Sequence, residues 1–223
     1  LDMYNHDPNL SVEYLKKVGI DRTSEKGFIG SIAIGGLING VSPLDMAAAY
    51  MPFANKGVYI KPQTYTKVLD KDGNVILENK TKIDVVYKET TAFIMTEMMR
   101  DVCKYGTAKK SLSNFSSGMP VAGKTGITTD NKNKWFLGFT PYYVASVWYG
   151  YDNPTSLQRS EYPRALQIWK DVMERIHKNK KHVNFKKPSG IIKKDICIYS
   201  GMLPSSLCSH DPRGSAVRSE YFE

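Results

Sequence analysis

Cysteine and histidine are scarce in this sequence, with three and four copies among 223 residues. No pair of them has the spacing of a metal site, so neither a structural zinc nor a catalytic metal is expected. No apolar run is long enough to cross a bilayer, and no leader peptide precedes the first charged residues. Helix-turn-helix, zinc-finger and RNP patterns are missing too. The net charge of +9 and pI near 9.3 therefore do not point to nucleic acid. Internal repeats and low-complexity tracts are also lacking. With 41% hydrophobic and 24% charged residues, the chain has the composition of a protein that buries a core. Much of the basic excess sits in Lys178-Asn179-Lys180-Lys181-His182, Lys186-Lys187 and Lys193-Lys194. This reads as a solvated linker face; the sharper alternative is attraction to anionic wall polymers or a membrane surface.

What is present is concentrated in Val121-Ala122-Gly123-Lys124-Thr125-Gly126. A short apolar run from Met119 to Ala122 leads into glycine, lysine, a hydroxyl residue and a second glycine. An aromatic strand pattern then starts at Lys134-Trp135-Phe136. Physically this is a strand whose edge offers an ammonium, a hydroxyl and backbone N–H groups to an anion. The glycines are read as leaving room for a ligand lying along that edge.

Lys-Thr-Gly is one of three motifs of the penicillin-recognising serine enzymes, the others being Ser-x-x-Lys and Ser-Asp-Asn or Ser-x-Asn. Several further segments follow in order: Gly35-Gly36-Leu37, Gly40-Val41-Ser42-Pro43 through Tyr50, Phe53-Ala54-Asn55-Lys56-Gly57, Lys67-Val68-Leu69-Asp70, Tyr105-Gly106-Thr107-Ala108, Trp135-Phe136-Leu137-Gly138-Phe139-Thr140-Pro141 and Val147-Trp148-Tyr149-Gly150-Tyr151. Together they resemble the transpeptidase domain of bifunctional (class A) penicillin-binding proteins, from about Val12 to Ile176. From Asp195 onward the chain looks like the end of such proteins from Gram-positive bacteria. No serine has a lysine three residues later, and no Ser-x-Asn occurs. In the family both motifs lie upstream of the Gly-Gly-Leu segment. The chain is thus expected to be the C-terminal part of a longer protein and inert alone. Its nucleophile would come from an N-terminal segment of the same protein, cleaved or absent, and its membrane attachment from an anchor in that segment.

Sequence patterns divide the chain into a transpeptidase part over 1–177, a basic linker over 178–194 and a loop-rich tail over 195–223. A short helix is expected over 9–19, capped by Asn9 or Ser11 and stopped by Gly19. A second starts at the Ser42 cap with Pro43 in its first turn and Asp45 as a capping-box variant; it is kinked at Pro52 and ends by Gly57. Extended segments around Val58-Tyr59-Ile60, Tyr65 to Leu69 and Val75 to Leu77 flank Asp72-Gly73, the sign of a small hairpin away from the site. Residues 89–105 read as an amphipathic helix with Phe93, Ile94, Met98, Val102 and Tyr105 on one face. Strands at 119–126, 135–140 and 144–151 follow, the last two as a hairpin through Pro141. Pro163 then opens a helix with Leu166, Trp169, Val172, Met173 and Ile176 at helical spacing. The fold class is α+β: an antiparallel sheet covered by helices plus a helical lobe, the penicillin-binding protein/serine β-lactamase-like transpeptidase fold, incomplete in this chain.

The resemblance implies acyl transfer, in which a serine attacks the penultimate D-alanine carbonyl of a peptidoglycan stem peptide and an amine of a second stem resolves the acyl-enzyme. Peptidoglycan stem peptides and β-lactam antibiotics are the implied partners. No cofactor is implied, and the site would face outward from the bacterial cytoplasmic membrane. Lys124 would favour the substrate carboxylate, Thr125 would donate its hydroxyl to it, and Gly126 would let the peptide lie flat. The backbone N–H of Ile127 would be one oxyanion donor. Relatives usually carry threonine where this chain has Ile127, so one carboxylate hydrogen bond is lost. Thr128 is the neighbouring hydroxyl that could compensate, although strand alternation turns it to the other face. Trp135, Phe136, Trp148 and Tyr149 read as core or sheet cover, and Asn133 and Lys134 as residues able to rim the cleft. His177 and His182 have no serine or carboxylate arranged with them as a triad, and Ser209-His210-Asp211 is consecutive and cannot converge as one. Cys197 and Cys208 suit a small disulfide-closed loop outside the cytoplasm, and Cys103 a buried hydrophobe. A non-catalytic wall-binding or β-lactam-sensing module of the same fold is the competing reading.

Overall fold

The computed structural model describes residues 7, 9–21, 32, 35–37, 40–158 and 164–223, and among these residues five α-helices and nine strands follow one another along the chain. Helix α1 spans Leu10–Lys17. Neither expected cap acts: Ser11 lies inside the helix, and Asn9 makes no side-chain capping bond. The Asp7 carboxylate instead accepts from the Asn9 N–H at 3.0 Å. Gly19, at φ 88°, stops the helix. Helix α2, Pro43–Ala54, starts as its sequence requires. Ser42 Oγ accepts from the Asp45 N–H at 3.1 Å and donates to the Asp45 carboxylate at 2.7 Å.

Past α2 the chain turns at Gly57, whose φ of 86° places its backbone against Tyr87. The Gly57 carbonyl accepts from the N–H groups of both Val86 and Tyr87. This closes the ladder between β1 (Val58–Ile60) and β4 (Ile83–Val85), a pairing absent from the sequence reading. Between them β2 (Lys67–Leu69) and β3 (Val75–Glu78) form the expected hairpin. Its turn is held by the Asp70 carboxylate, which accepts from the N–H groups of Asp72 and Asn74.

Helix α3 spans Glu89–Lys104, but its buried face differs from the expected one. Ala92, Phe93, Thr96, Met99 and Cys103 are buried, while Met98 and Tyr105 are 60% and 68% exposed. Only Phe93 of the expected set is fully buried. The small Ala92 permits close approach, and buried Thr96 donates its hydroxyl to the carbonyls of Ala92 and Phe53. A polar residue with its hydrogen bonds made can sit where sequence periodicity predicts solvent. After the short helix α4 (Lys109–Leu112) come β5 (Ala122–Ile127), β6 (Asn133–Phe139) and β7 (Val144–Gly150). They form an antiparallel sheet in the order β5-β6-β7, with Lys124 opposite Leu137 and Gly126 opposite Trp135.

Helix α5 is described from Arg164 to His177, so the expected opening at Pro163 lies outside the described residues. It covers one face of the sheet. Trp169, Leu166 and Met173 pack with Phe136 and the half-buried Tyr143, Ala145 and Val147. The Trp169 indole N–H is shared between the carbonyls of Gly138 (3.3 Å) and Ala145 (3.1 Å), tying the helix to β6 and β7. Gly138 has to be glycine, since a Cβ there would meet the Trp169 ring at 2.8 Å. On the other face Met99 packs with Ala122 and Phe139, next to Tyr50, Phe53 and Phe185. His177, placed by its sequence beside the basic linker, is buried as part of the core. Its Nδ1 lies 2.6 Å from the Met173 carbonyl, to which it donates, and its Nε2 accepts from the Thr140 hydroxyl at 2.9 Å.

Strand β8 (Ile192–Cys197) begins inside the stretch expected as linker and pairs with β9 (Val217–Phe222). The tail is therefore a strand pair whose long, loop-rich connection carries a 3₁₀ turn at Ser206–His210. It lies along α3: Arg218 pairs with Asp101, and Tyr221 meets Phe93 edge-on at 5.3 Å.

Gly57→Ala should destabilise the protein by roughly 2–4 kcal/mol, because positive-φ strain adds to a Cβ placed 2.0 Å from the Tyr87 carbonyl oxygen. Gly73→Ala, with φ 87° but nothing within 4 Å, should cost only about 1–2 kcal/mol. Equal shifts in thermal unfolding for the two variants would contradict this account.

Candidate active site

Strand β5 is paired on one side only among the described residues, so its other edge is open. The Thr128 N–H donates to the Asn133 carbonyl across the ladder. Backbone groups alternate along an antiparallel strand, so the N–H groups of Gly126 and Lys124 also face β6. Those of Ile127 and Thr125 face the open edge. The Lys124 side chain is exposed and curls onto that edge, its Nζ donating to the Thr125 carbonyl at 2.8 Å. An ammonium, two free-facing N–H groups and a hydroxyl thus lie within one short stretch. That set can bind a carboxylate and polarise a carbonyl.

The two glycines have different neighbours. A Cβ at Gly123 would meet the Leu137 carbonyl oxygen at 2.6 Å and the Phe136 ring at 2.9 Å. Gly123 is therefore fixed by sheet packing, not by a ligand, contrary to the sequence reading. A Cβ at Gly126 would come 3.2 Å from the Trp135 Cβ, a close but softer neighbour.

The Thr125 hydroxyl is already engaged. Its Oγ1 lies 2.8 Å from Thr107 Oγ1, which comes from the segment between α3 and α4. The sequence reading quoted Thr107 within Tyr105-Gly106-Thr107-Ala108 but gave it no role, since nothing local connects residues eighteen apart. Gly106 lets this segment turn tightly, a Cβ there meeting the Val102 Cα and carbonyl oxygen at 3.0 Å. Ile127 is 58% exposed. Thr128 is not beside Thr125; its hydroxyl oxygen accepts from the N–H groups of Lys132 and Asn133, each at 3.1 Å, and so organises the β5–β6 loop. In the same loop Lys132 and then Thr128 hold the Asp130 carboxyl down to about 2.

Lys134 does not rim a cleft. It is buried, and its ammonium donates to Asn131 Oδ1 at 3.0 Å. Asn133 does line the cleft, its Oδ1 accepting from the Trp148 indole at 2.8 Å. Trp135 and Trp148, read from sequence as cover residues, line a cleft of about 580 Å³ with Gly35, Leu37, Val41 and Thr128. Ser209 Oγ does approach His210 Nδ1 at 3.0 Å, but the Asp211 carboxylate faces Arg213 instead, so no triad forms. No disulfide joins Cys197 and Cys208; both are free thiols. Burial pushes the Cys103 thiol up to about 12, as befits an inert core residue. Among the described residues no group of three or more histidine, cysteine or acidic side chains could hold a metal, and no helix is long and apolar enough to cross a membrane.

Residues 11–174 match the penicillin binding protein transpeptidase domain, and residues 187–223 match the penicillin-binding protein 1A C-terminal domain. The chain is 40% identical over 220 residues to penicillin-binding protein 1A of Clostridium botulinum, covering 96% of this chain and 26% of that protein. It is 37% identical over 183 residues to penicillin-binding protein 1A of Aquifex aeolicus, covering 80% of this chain and 24% of the relative. The chain thus spans about a quarter of the length of the curated relatives it matches. Among solved structures, penicillin-binding protein 1A of Haemophilus influenzae shares the fold at a TM-score of 0.80 and 23% identity, over 99% of this chain and 37% of that one. PonA1 of Mycobacterium tuberculosis gives 0.67 at 26% identity, over 83% and 54%. With its Lys-Thr-Gly strand at the open edge of a sheet sandwiched between helices, the chain belongs to the penicillin-binding protein transpeptidase domain family.

Proposed function

We propose that this chain supplies the anion-binding wall of a peptidoglycan D,D-transpeptidase site that works through a serine acyl-enzyme. The observation that carries the reading is the open edge of β5, where Lys124 Nζ, the Thr125 hydroxyl and the outward N–H of Ile127 meet. Lys124 and Thr125 take the terminal carboxylate of a D-Ala-D-Ala stem peptide or of a β-lactam. The Ile127 N–H donates to the oxyanion that develops as the carbonyl is attacked. Gly126 leaves the strand flat for an extended ligand. The serine nucleophile, its activating lysine and the Ser-x-Asn motif do not occur in these 223 residues. They are supplied by another segment of the same protein, which also carries the membrane anchor and holds the site in the cell-wall zone.

Fluorescent penicillin tests this directly. The full-length protein should carry a label that survives denaturing electrophoresis, and Lys124→Ala should lower the labelling rate by about tenfold or more, the weight of a charge-assisted hydrogen bond. A correctly folded full-length protein that takes no label would be a binding module, and the proposal would fail.

Ile127 offers a second, finer test. Ile127→Thr restores a hydroxyl beside the carboxylate and should speed β-lactam acylation by roughly three- to tenfold, the equivalent of one modest hydrogen bond. An unchanged acylation rate would show that the side chain at 127 does not reach the ligand.

A further inference from the structure

We infer that Cys197 and Cys208 form a dithiol site in the tail that takes up a disulfide oxidant and closes into an intramolecular disulfide. Its geometry is set by backbone: the Ala216 N–H donates to the Cys208 carbonyl at 2.7 Å, and the Ile198 N–H donates to the Ala216 carbonyl at 2.9 Å. The buried Ala216 therefore bonds Cys208 on one side and Ile198, the residue after Cys197, on the other, and Cys197 stands opposite Val217 in the ladder. The two thiols are not equivalent. Cys208 is half-buried, its Sγ 3.5 Å from Ser205 Oγ. Cys197 is buried in the turn that ends β8, where Gly201, at φ 70°, donates its N–H to the Cys197 carbonyl. Backbone N–H groups of Ser200 and then Tyr199 aim at the Cys197 sulfur, together with the Cys208 thiol and the Ser200 hydroxyl, and lower that thiol to about 7. Arg213, stacked 3.9 Å over the Tyr199 ring, adds positive charge nearby.

The reaction starts at the accessible thiol. Cys208 Sγ, losing its proton to solvent, attacks one sulfur of the oxidant, forming a mixed disulfide and releasing the oxidant's other half as a thiolate. Cys197 Sγ, ionised within reach, attacks Cys208 Sγ and displaces the second thiolate. The two cysteines give up two electrons, and the oxidant leaves as two thiols. The new bond fixes the end of the hairpin one residue from the Ile196–Arg218 pair, and so stiffens the segment that grips α3.

Oxidised glutathione, added to the reduced full-length protein, is the test. Peptide mapping should find Cys197 joined to Cys208 at about 2 Da below the mass of the reduced form. Cys197→Ser should accumulate glutathione on Cys208, whereas Cys208→Ser should take little on Cys197. Wild-type protein that gains no 197–208 linkage, or equal adducts on both variants, would overturn the inference. The wild-type map does not depend on either variant folding.

A separate observation carries a second inference, which rests on the function proposed above. The geometry points to Thr107 as a positioning residue for the Thr125 hydroxyl. Each threonine has one hydroxyl proton, and at 2.8 Å only one of them can lie between the two oxygens. An anion at the open edge of β5 takes the Thr125 proton, so Thr107 must then donate to Thr125 Oγ1. Thr107 thereby holds the Thr125 hydroxyl rotor in its donor orientation without touching the ligand.

In the full-length enzyme, Thr107→Val should slow acylation by a carboxylate-bearing β-lactam by roughly three- to tenfold. It should have little effect on the same compound with its carboxylate esterified, and Thr107→Ser should restore the rate. Equal losses with acid and ester, or no loss with either, would overturn the role. Wild-type enzyme that is not acylated at all would instead sink the transpeptidase reading.

Discussion

One-sided pairing of β5 is the constraint on which the rest of this structure turns. A strand buried between two neighbours would have all its backbone groups consumed by the ladder. A strand with one neighbour keeps every second N–H available, and the Thr128–Asn133 bond sets which ones. The open edge is usually a liability, because it invites pairing with another chain. Here it carries a lysine and a threonine, and in the function proposed above the same unpaired groups that would template aggregation are the donors for an anion. Everything else in the fold keeps that edge straight: Trp169 pins β6 to β7, and Gly123 and Gly138 let the sheet lie close beneath Phe136.

Much of this was legible in the sequence because it depends on neighbours along the chain. The Ser42 cap, the Asp72-Gly73 hairpin, the three strands and the Lys-Thr-Gly edge are all local patterns, and each lies within a few residues of its expected place. The family resemblance was carried by the same short segments. Misreadings arose where a distant partner decides. On α3 a stripe of Ile94, Met98, Val102 and Tyr105 looked more apolar than the one that is buried. The buried stripe contains Thr96, whose polarity is cancelled by the Phe53 carbonyl from another helix. Strand β4 was missed because its three residues alternate too briefly to register, and only Gly57 and β1 make it a strand.

The site itself was half legible. The motif places Lys124, Thr125, Gly126 and Ile127 on one strand edge, whereas only the fold brings Thr107 beside Thr125. Thr128 was the opposite case: a hydroxyl of the right type at a plausible distance in sequence, but turned into its own loop. Gly123 shows how a motif residue can be retained for packing under a site rather than for the ligand. His177 shows the same for a titratable group, which the Thr140 hydroxyl and the Met173 carbonyl hold inside the core.

The tail leaves a mark on the whole. Residues matched to the transpeptidase domain end at 174, and those matched to the C-terminal domain start at 187. Across that formal gap run the Arg218–Asp101 pair, the Tyr221–Phe93 contact and the Lys88–Glu223 pair at 3.5 Å, while Phe185, within the gap, packs on Phe139. Helix α3 lies between sheet and tail. The two matched segments therefore share α3 as a common wall, packed by the sheet on one side and by the tail hairpin on the other.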